Sequence, residues 1–310
     1  MIRSIRMYIT EKCNANCPSC FNKDVRGAAE MDLEHFSMLC SYFKLNNVKH
    51  IKIMGGEPTM HPNFNTFVTV AQDYFEYVHI FSNGLTKNIT SWFPRDTDSI
   101  VYNFRFADYL TPEKLMLDKA GKRGLEIQIT KDVCINSLFD SIWRVCSFDK
   151  DRITAIFTLD CTSNIFKNRE IVIDKYVKLW NKCQDVGIKL YQDHKIPICY
   201  LYKSTIPLLY KASSVCSIKC SGLIDANYNL VYCNQYPYKL INMFSSNGII
   251  PFEILCNYLK MEHLRHQNIA LQKICKDCIF YDANCNGGCF ISKDDISRKD
   301  ILDNTNFPLL

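Results

Sequence analysis

Residues 4–20 read SIRMYITEKCNANCPSC. The first seven, Ser4–Thr10, read as a β-strand. The segment after it carries Cys13, Cys17 and Cys20 in the spacing C-x3-C-x2-C. Thiolates are soft ligands that suit iron–sulfur clusters or zinc. Three of them on one loop can hold three corners of a cubane and leave the fourth iron open to an external ligand. A structural zinc site wants a fourth ligand nearby, and this loop offers no obvious histidine or acid for that place.

Outward from this loop, strands and helices alternate. Leu33, Phe36, Leu39, Cys40 and Phe43 recur at helical spacing behind Asp32, a suitable N-cap. Residues 49–54 form a second strand, and Phe64, Phe67, Val68, Ala71 and Phe75 mark a second helix. Further strands fall at 77–82, 99–105, 125–130 and 153–159, with a helix over about 169–186 that ends at Gly187. The pattern predicts an α/β fold with a parallel sheet. Six units are too few for a full barrel, so the expectation is a partial (β/α)6 TIM-type barrel with its site at the C-terminal ends of the strands.

From about residue 196 the pattern changes and cysteine becomes dense, which divides the chain into 1–195 and 196–310. The chain has 310 residues, a net charge of +5 and 17 cysteines. The charge is small and dispersed, so neither nucleic acid nor a membrane is expected as partner. Without a signal-like N-terminus or a long apolar run, the expected location is cytoplasmic, where thiols stay reduced and so many cysteines argue against disulfides. Cys40, Cys134, Cys146, Cys161, Cys183 and Cys256 stand alone and read as small buried hydrophobes. Ten others fall into spaced groups: the first three, then Cys216-x3-Cys220-x12-Cys233, then Cys275-x2-Cys278-x6-Cys285-x3-Cys289.

Two turns after strands complete the picture. Strand two runs into Gly55-Gly56-Glu57-Pro58, where glycines permit close backbone approach and Glu57 can accept a bond from an ammonium. Strand three ends in Ser82-Asn83-Gly84, either a plain turn or a hydroxyl-binding corner. Asn103 and Arg105 near strand four could engage a ribose or a carboxylate, with Gln128 on strand five a weaker candidate.

Taken together, the Cys13–Cys20 loop, the GGE of residues 55–57 and the SNG of residues 82–84 resemble the radical S-adenosylmethionine (SAM) superfamily. The resemblance implies a [4Fe–4S] cluster on Cys13, Cys17 and Cys20 whose open iron chelates SAM. Gly55, Gly56 and Glu57 would lie at the methionine part, and Ser82, Asn83, Asn103 and Arg105 around the ribose or carboxylate. It departs from the pattern at Ser19, where the family usually has an aromatic residue. The later cysteines resemble a SPASM-type domain with one or two auxiliary [4Fe–4S] clusters. That resemblance assigns Cys216, Cys220, Cys233 and Cys289 to one cluster and Cys275, Cys278 and Cys285 to the other. One cluster on Cys275, Cys278, Cys285 and Cys289 is the alternative, because no cysteine follows Cys289. The glycine expected five residues before Cys233 is Tyr228.

The reaction implied is reductive SAM cleavage to a 5′-deoxyadenosyl radical that abstracts a substrate hydrogen. The favoured substrate is a peptide or protein (crosslinked, oxidised or epimerised). The alternatives are a small molecule such as a sugar or aminoglycoside, or a non-catalytic electron-transfer or zinc-binding protein. Implied partners are an electron donor such as flavodoxin or ferredoxin and a separate leader-peptide-binding protein, since strand one begins so early. Cys161, just after strand six, is a candidate hydrogen donor, with a buried structural thiol as the plainer reading.

Overall fold

The protein is described by a computed structural model that covers residues 2–17, 20, 27–86, 94–105, 121–159, 165–192, 221–233 and 236–269. Strand β1 (Ser4–Thr10) is followed by helix α1 (Leu33–Leu45), β2 (His50–Gly55), α2 (Phe64–Tyr74), β3 (Tyr77–Ser82), β4 (Ser99–Asn103) and β5 (Lys122–Ile129). Then come α3 (Ile135–Cys146), β6 (Ile153–Leu159), α4 (Ile165–Asp185) and β7 (Lys189–Gln192). Among the described residues the chain closes with β8 (Ser221–Ile224), β9 (Asn229–Cys233), β10 (Tyr236–Asn242), a small hairpin of β11 (Phe244–Ser245) and β12 (Gly248–Ile249), and α5 (Phe252–Ile269).

Strands β1 to β7 lie side by side in chain order and are parallel throughout. The alternating strand–helix pattern therefore yields the partial TIM-type barrel that it predicts. The sheet is longer than the six-unit reading. β7 adds a parallel strand outside β6, although its four residues are only half-buried and carry little apolar signal. On the other side β8 pairs parallel with β1, and β9 and β10 follow antiparallel. The division at residue 195/196 lies outside the described residues, and the sheet runs on from β1 into β8 without a break.

Local chemistry explains the elements. Asp32 caps α1 by accepting from the His35 N–H at 2.9 Å, and Phe36, Leu39, Cys40 and Phe43 form its buried face. These side chains share one core with Phe64 and Phe67 of α2 and with Ile51, Ile53, Val78 and Ile80 of the sheet. Gly187 ends α4 at φ +75, a left-handed conformation that glycine adopts without steric cost. The opposite face of the sheet carries a smaller cluster, Tyr8, Leu223 and Val231, with Met54 packed against it. No helix among the described residues is long and apolar enough to cross a membrane.

The cysteines that read as buried filler divide. Cys40, Cys146 and Cys183 are fully buried, and burial pushes Cys146 and Cys183 up to about 12. Cys256 is half-buried, and Cys134 is exposed. Cys134 corrects the reading: it stands at the N-cap of α3, before the buried face of that helix begins. The apolar residues around it in sequence turn inward without it.

Candidate active site

A parallel sheet brings the C-terminal ends of its strands to one side, and the predicted site segments that follow β1 to β5 lie there. The loop after β1 carries Cys13, Cys17 and Cys20, all partly exposed and free of disulfides. The Cys20 N–H donates to the Cys17 carbonyl at 3.2 Å, so the last two thiols sit on one turn. The loop returns on itself. Glu11 N donates to Ala29 O and Met31 N to Ile9 O, each at 2.9 Å, and Lys12 pairs with Glu30 at 2.9 Å. Three accessible thiols on a closed loop fit a cubane, which takes one thiolate at each of three iron corners. Among the described residues no three Cys, His, Asp or Glu side chains converge on a single ion.

The turn after β2 is built against this loop. Gly56 N donates to Thr10 O at 2.9 Å and Glu57 N to Lys12 O at 2.8 Å. A Cβ on Gly55 would stand 2.3 Å from Thr10 O, and one on Gly56 2.3 Å from Lys12 O. The close approach that the glycines permit is thus to the cysteine loop itself, and the N–H groups of Gly56 and Glu57 are engaged there.

Glu57 is 1% exposed and joins three strand ends. Its Oε1 accepts from Thr59 N at 3.2 Å, from the Thr59 hydroxyl and from Ser82 Oγ at 2.8 Å. Its Oε2 accepts from Asn83 N at 2.6 Å. Burial pushes the Glu57 carboxyl up and outweighs the opposing pull of the bonds from Asn83, Thr59 and Ser82. Oε1 is saturated, while Oε2 keeps acceptor capacity beyond its single bond. Asn83 extends the network: its Nδ2 donates to Asn14 Oδ1 at 2.7 Å, between Cys13 and Cys17, and its Oδ1 accepts from Leu85 N at 2.9 Å. Ser82 Oγ also accepts from Gly84 N at 3.0 Å.

Farther along the same edge, Asn103 Oδ1 accepts from Arg105 N at 3.1 Å, and Arg105 donates to Gln128 Oε1. These three residues form a second polar group beyond β3. Two contributors escape the sequence reading. Thr59 sits two residues past Glu57 and supplies two of its bonds, and Asn14 lies inside the cysteine loop. Neither carries a signal of its own, since an isolated Thr or Asn in a turn is commonplace.

Of the later cysteines, Cys233 is described. It is 7% exposed and ends β9. Because β9 runs back antiparallel to β8, Cys233 returns to the end of the sheet where β8 begins at Ser221, the residue after Cys220 in sequence. That end is opposite the Cys13–Cys20 loop, separated by the length of β1, roughly 20 Å at the rise of a β-strand. Cys161, Cys216, Cys220, Cys275, Cys278, Cys285 and Cys289 lie outside the described residues.

The thiol-bearing loop after β1 and the buried carboxylate after β2 are thus joined at one end of the parallel sheet. Residues 7–98 match the model of the Radical SAM superfamily. Over 92 residues it is 33% identical to a GTP 3′,8-cyclase of Bradyrhizobium diazoefficiens, and over 83 residues 29% identical to the sporulation killing factor maturation protein SkfB of Bacillus subtilis. These matches cover 29% and 26% of this chain, and 27% and 20% of those relatives' lengths. The fold likeness is broader. The structure of Streptococcus suis SuiB bound to precursor peptide SuiA matches 94% of this chain and 72% of its own, with TM-score 0.63 and 14% identity. The structure of anSMEcpe with bound AdoMet and Kp18Cys peptide matches 94% of this chain and 91% of its own, with TM-score 0.62 and 15% identity.

Proposed function

We propose that this chain is a radical SAM enzyme that abstracts a hydrogen atom from a peptide or protein substrate. The observation that carries this is the Glu57–Asn83–Asn14 network, which ties the turns after β2 and β3 to the cysteine loop. An electron carrier needs the thiols but has no use for a buried carboxylate and two amide side chains gathered beside them.

Cys13, Cys17 and Cys20 hold a [4Fe–4S] cluster in this reading. When loaded with SAM, that cluster supplies the electron that cleaves SAM to methionine and a 5′-deoxyadenosyl radical. The chain's own residues do the holding. Gly55 and Gly56 seat the β2 turn against the loop, and Glu57 Oε2, with acceptor capacity left, would accept from the ammonium of SAM. Ser82, Asn83, Asn103 and Arg105 would hold its ribose or carboxylate. Cys233, with Cys216, Cys220, Cys275, Cys278, Cys285 and Cys289, holds one or two auxiliary clusters. Cys161 remains a candidate hydrogen donor. The peptide class is supported by the fold likeness to structures bound to a precursor peptide and to Kp18Cys peptide. A flavodoxin or ferredoxin as electron donor and a separate leader-binding protein complete the proposal.

The test is anaerobic reconstitution followed by SAM and dithionite, with 5′-deoxyadenosine quantified by chromatography. Wild-type protein forms it, and the Cys13→Ala, Cys17→Ala, Cys20→Ala triple variant does not. Cleavage retained in that variant overturns the cluster assignment. Iron counted in the same variant gives the number of auxiliary clusters. Deuterium transfer from a labelled candidate peptide into 5′-deoxyadenosine supports the substrate class, and transfer from a sugar but not a peptide refutes it.

A further inference from the structure

The turn between β8 and β9 reaches both ends of the cysteine loop. Asn227 Nδ2 donates to Glu11 Oε1 at 3.2 Å, two residues before Cys13. Tyr228 donates its hydroxyl proton to Asp32 Oδ2, and the Tyr228 hydroxyl oxygen accepts from Asp32 N at 3.1 Å. Asp32 is where the loop ends and α1 begins. One turn therefore bonds the entry and the exit of a loop that lies more than 190 residues away in the chain.

The turn is itself rigid. Asp225 Oδ1 accepts from Asn227 N at 2.9 Å and from Asn229 N at 2.8 Å. Tyr228 O accepts from Met243 N at 2.8 Å, and Asn242 Nδ2 donates to Asn227 O at 2.9 Å, so the β10–β11 connection braces the turn from behind. Tyr228 is held at φ +65, where glycine is favoured and a bulky residue is out of place unless its surroundings fix it. Its ring lies 4.9 Å from His35 and 5.3 Å from Phe244. A glycine there would relieve the backbone, yet it would forfeit the ring contacts and both bonds to Asp32. The charge states suit the contact. Partial burial pushes Asp32 up, but bonds from His35 and Tyr228 outweigh it and leave Asp32 at about 2. Burial, then the bond to Asp32, pushes Tyr228 up to about 12, so a neutral phenol donates to a carboxylate.

We propose that the Asp225–Asn229 turn is a clasp that holds the mouth of the Cys13–Cys20 loop closed, with Tyr228 as its positioning residue. This rests on the cluster reading above for its consequence, though the clasp can be tested without the cluster. The same hairpin carries Cys233 at its foot, so a single element joins the loop at one end of the sheet to Cys233 at the other.

The test uses full-length Tyr228→Phe, Asn227→Ala and the double variant. Tyr228→Phe keeps the ring and the backbone shape but removes both bonds. Asn46→Ala is the control, because Asn46 bonds Tyr42 O at the far end of α1 and its loss weakens the same helix away from the loop. In the apo protein, hydrogen–deuterium exchange in residues 11–17 and 27–32 is expected to rise about tenfold in the double variant. In reconstituted protein, the part of the reduced EPR signal that responds to SAM is expected to be lost to an iron chelator about tenfold faster. Unchanged exchange and unchanged loss overturn the clasp. Equal acceleration in Asn46→Ala also overturns it, since the effect would then be general destabilisation. A wild-type chain that takes up no iron sinks the cluster reading, and the exchange result alone then decides the clasp.

Discussion

The backbone N–H of Asn83 donates to Glu57 Oε2 at 2.6 Å, binding the end of β3 to the turn after β2. Because the same carboxylate takes Ser82 and Thr59 on its other oxygen, three donors from one side and one from the other fix its orientation. A carboxylate accepts at every position, whereas an amide at this place would point an NH2 group at one set of donors. Glu57→Gln is therefore expected to lower stability by about 1–3 kcal/mol and to lower SAM cleavage. Chemical denaturation of the apo protein checks the first and 5′-deoxyadenosine formation the second. Unaltered stability would show that the network is dispensable.

Gly56 and Gly187 make a contrasting pair. Alanine at position 56 meets the carbonyls of Lys12 and Glu11 at 2.3 and 2.6 Å, both backbone atoms of the cysteine loop. Relief requires moving that loop, so Gly56→Ala is expected to cost at least about 1–3 kcal/mol and to lower iron uptake. Alanine at position 187 meets nothing within 4 Å and suffers only its left-handed backbone at φ +75. Gly187→Ala is expected to cost about 1–2 kcal/mol with iron uptake unchanged. Melting curves and iron assays on both variants separate the two mechanisms.

Acid should weaken the fold through His79. Burial, with help from Lys52 and His50, pulls its pKa from the usual 6.5 to about 4, while Nδ1 sits 2.7 Å from Ser99 Oγ. Between those values the unfolded chain binds a proton that the folded chain refuses. The stabilisation is thus complete above pH 6.5 and is lost as pH falls toward 4, by an amount on the order of 1–3 kcal/mol. His79→Gln is expected to flatten the melting temperature across that window, and a profile as steep as the wild type's would assign the acid sensitivity elsewhere.

Thiol labelling should sort the isolated cysteines. Cys134 is exposed, whereas Cys40, Cys146 and Cys183 are buried with their pKa values raised by burial. Under native conditions iodoacetamide is expected to modify Cys134, and the three buried thiols only after denaturant is added. Peptide mass mapping reads the result. Native labelling of Cys40 or Cys183 would contradict the packing of α1 or α4.

What could be read along the chain was whatever depends on near neighbours. The strands Ser4–Thr10, Tyr77–Ser82 and Ile153–Leu159, the Asp32 cap and the C-x3-C-x2-C loop follow from periodicity and spacing over a few residues. α3 and β7 were not evident, because Ile135–Cys146 begins beside an exposed cysteine and Lys189–Gln192 is half-exposed.

The sequence by itself determined which segments become strands and which loop carries the thiols, since backbone geometry imposes those periods locally. Only the tertiary structure decided that β8 joins the sheet beside β1, that Gly55 and Gly56 face the cysteine loop, and that Tyr228 reaches Asp32. Each of those depends on strand register and on contacts between segments far apart in the chain. A pairing across 196 residues leaves no mark in the local pattern of either partner.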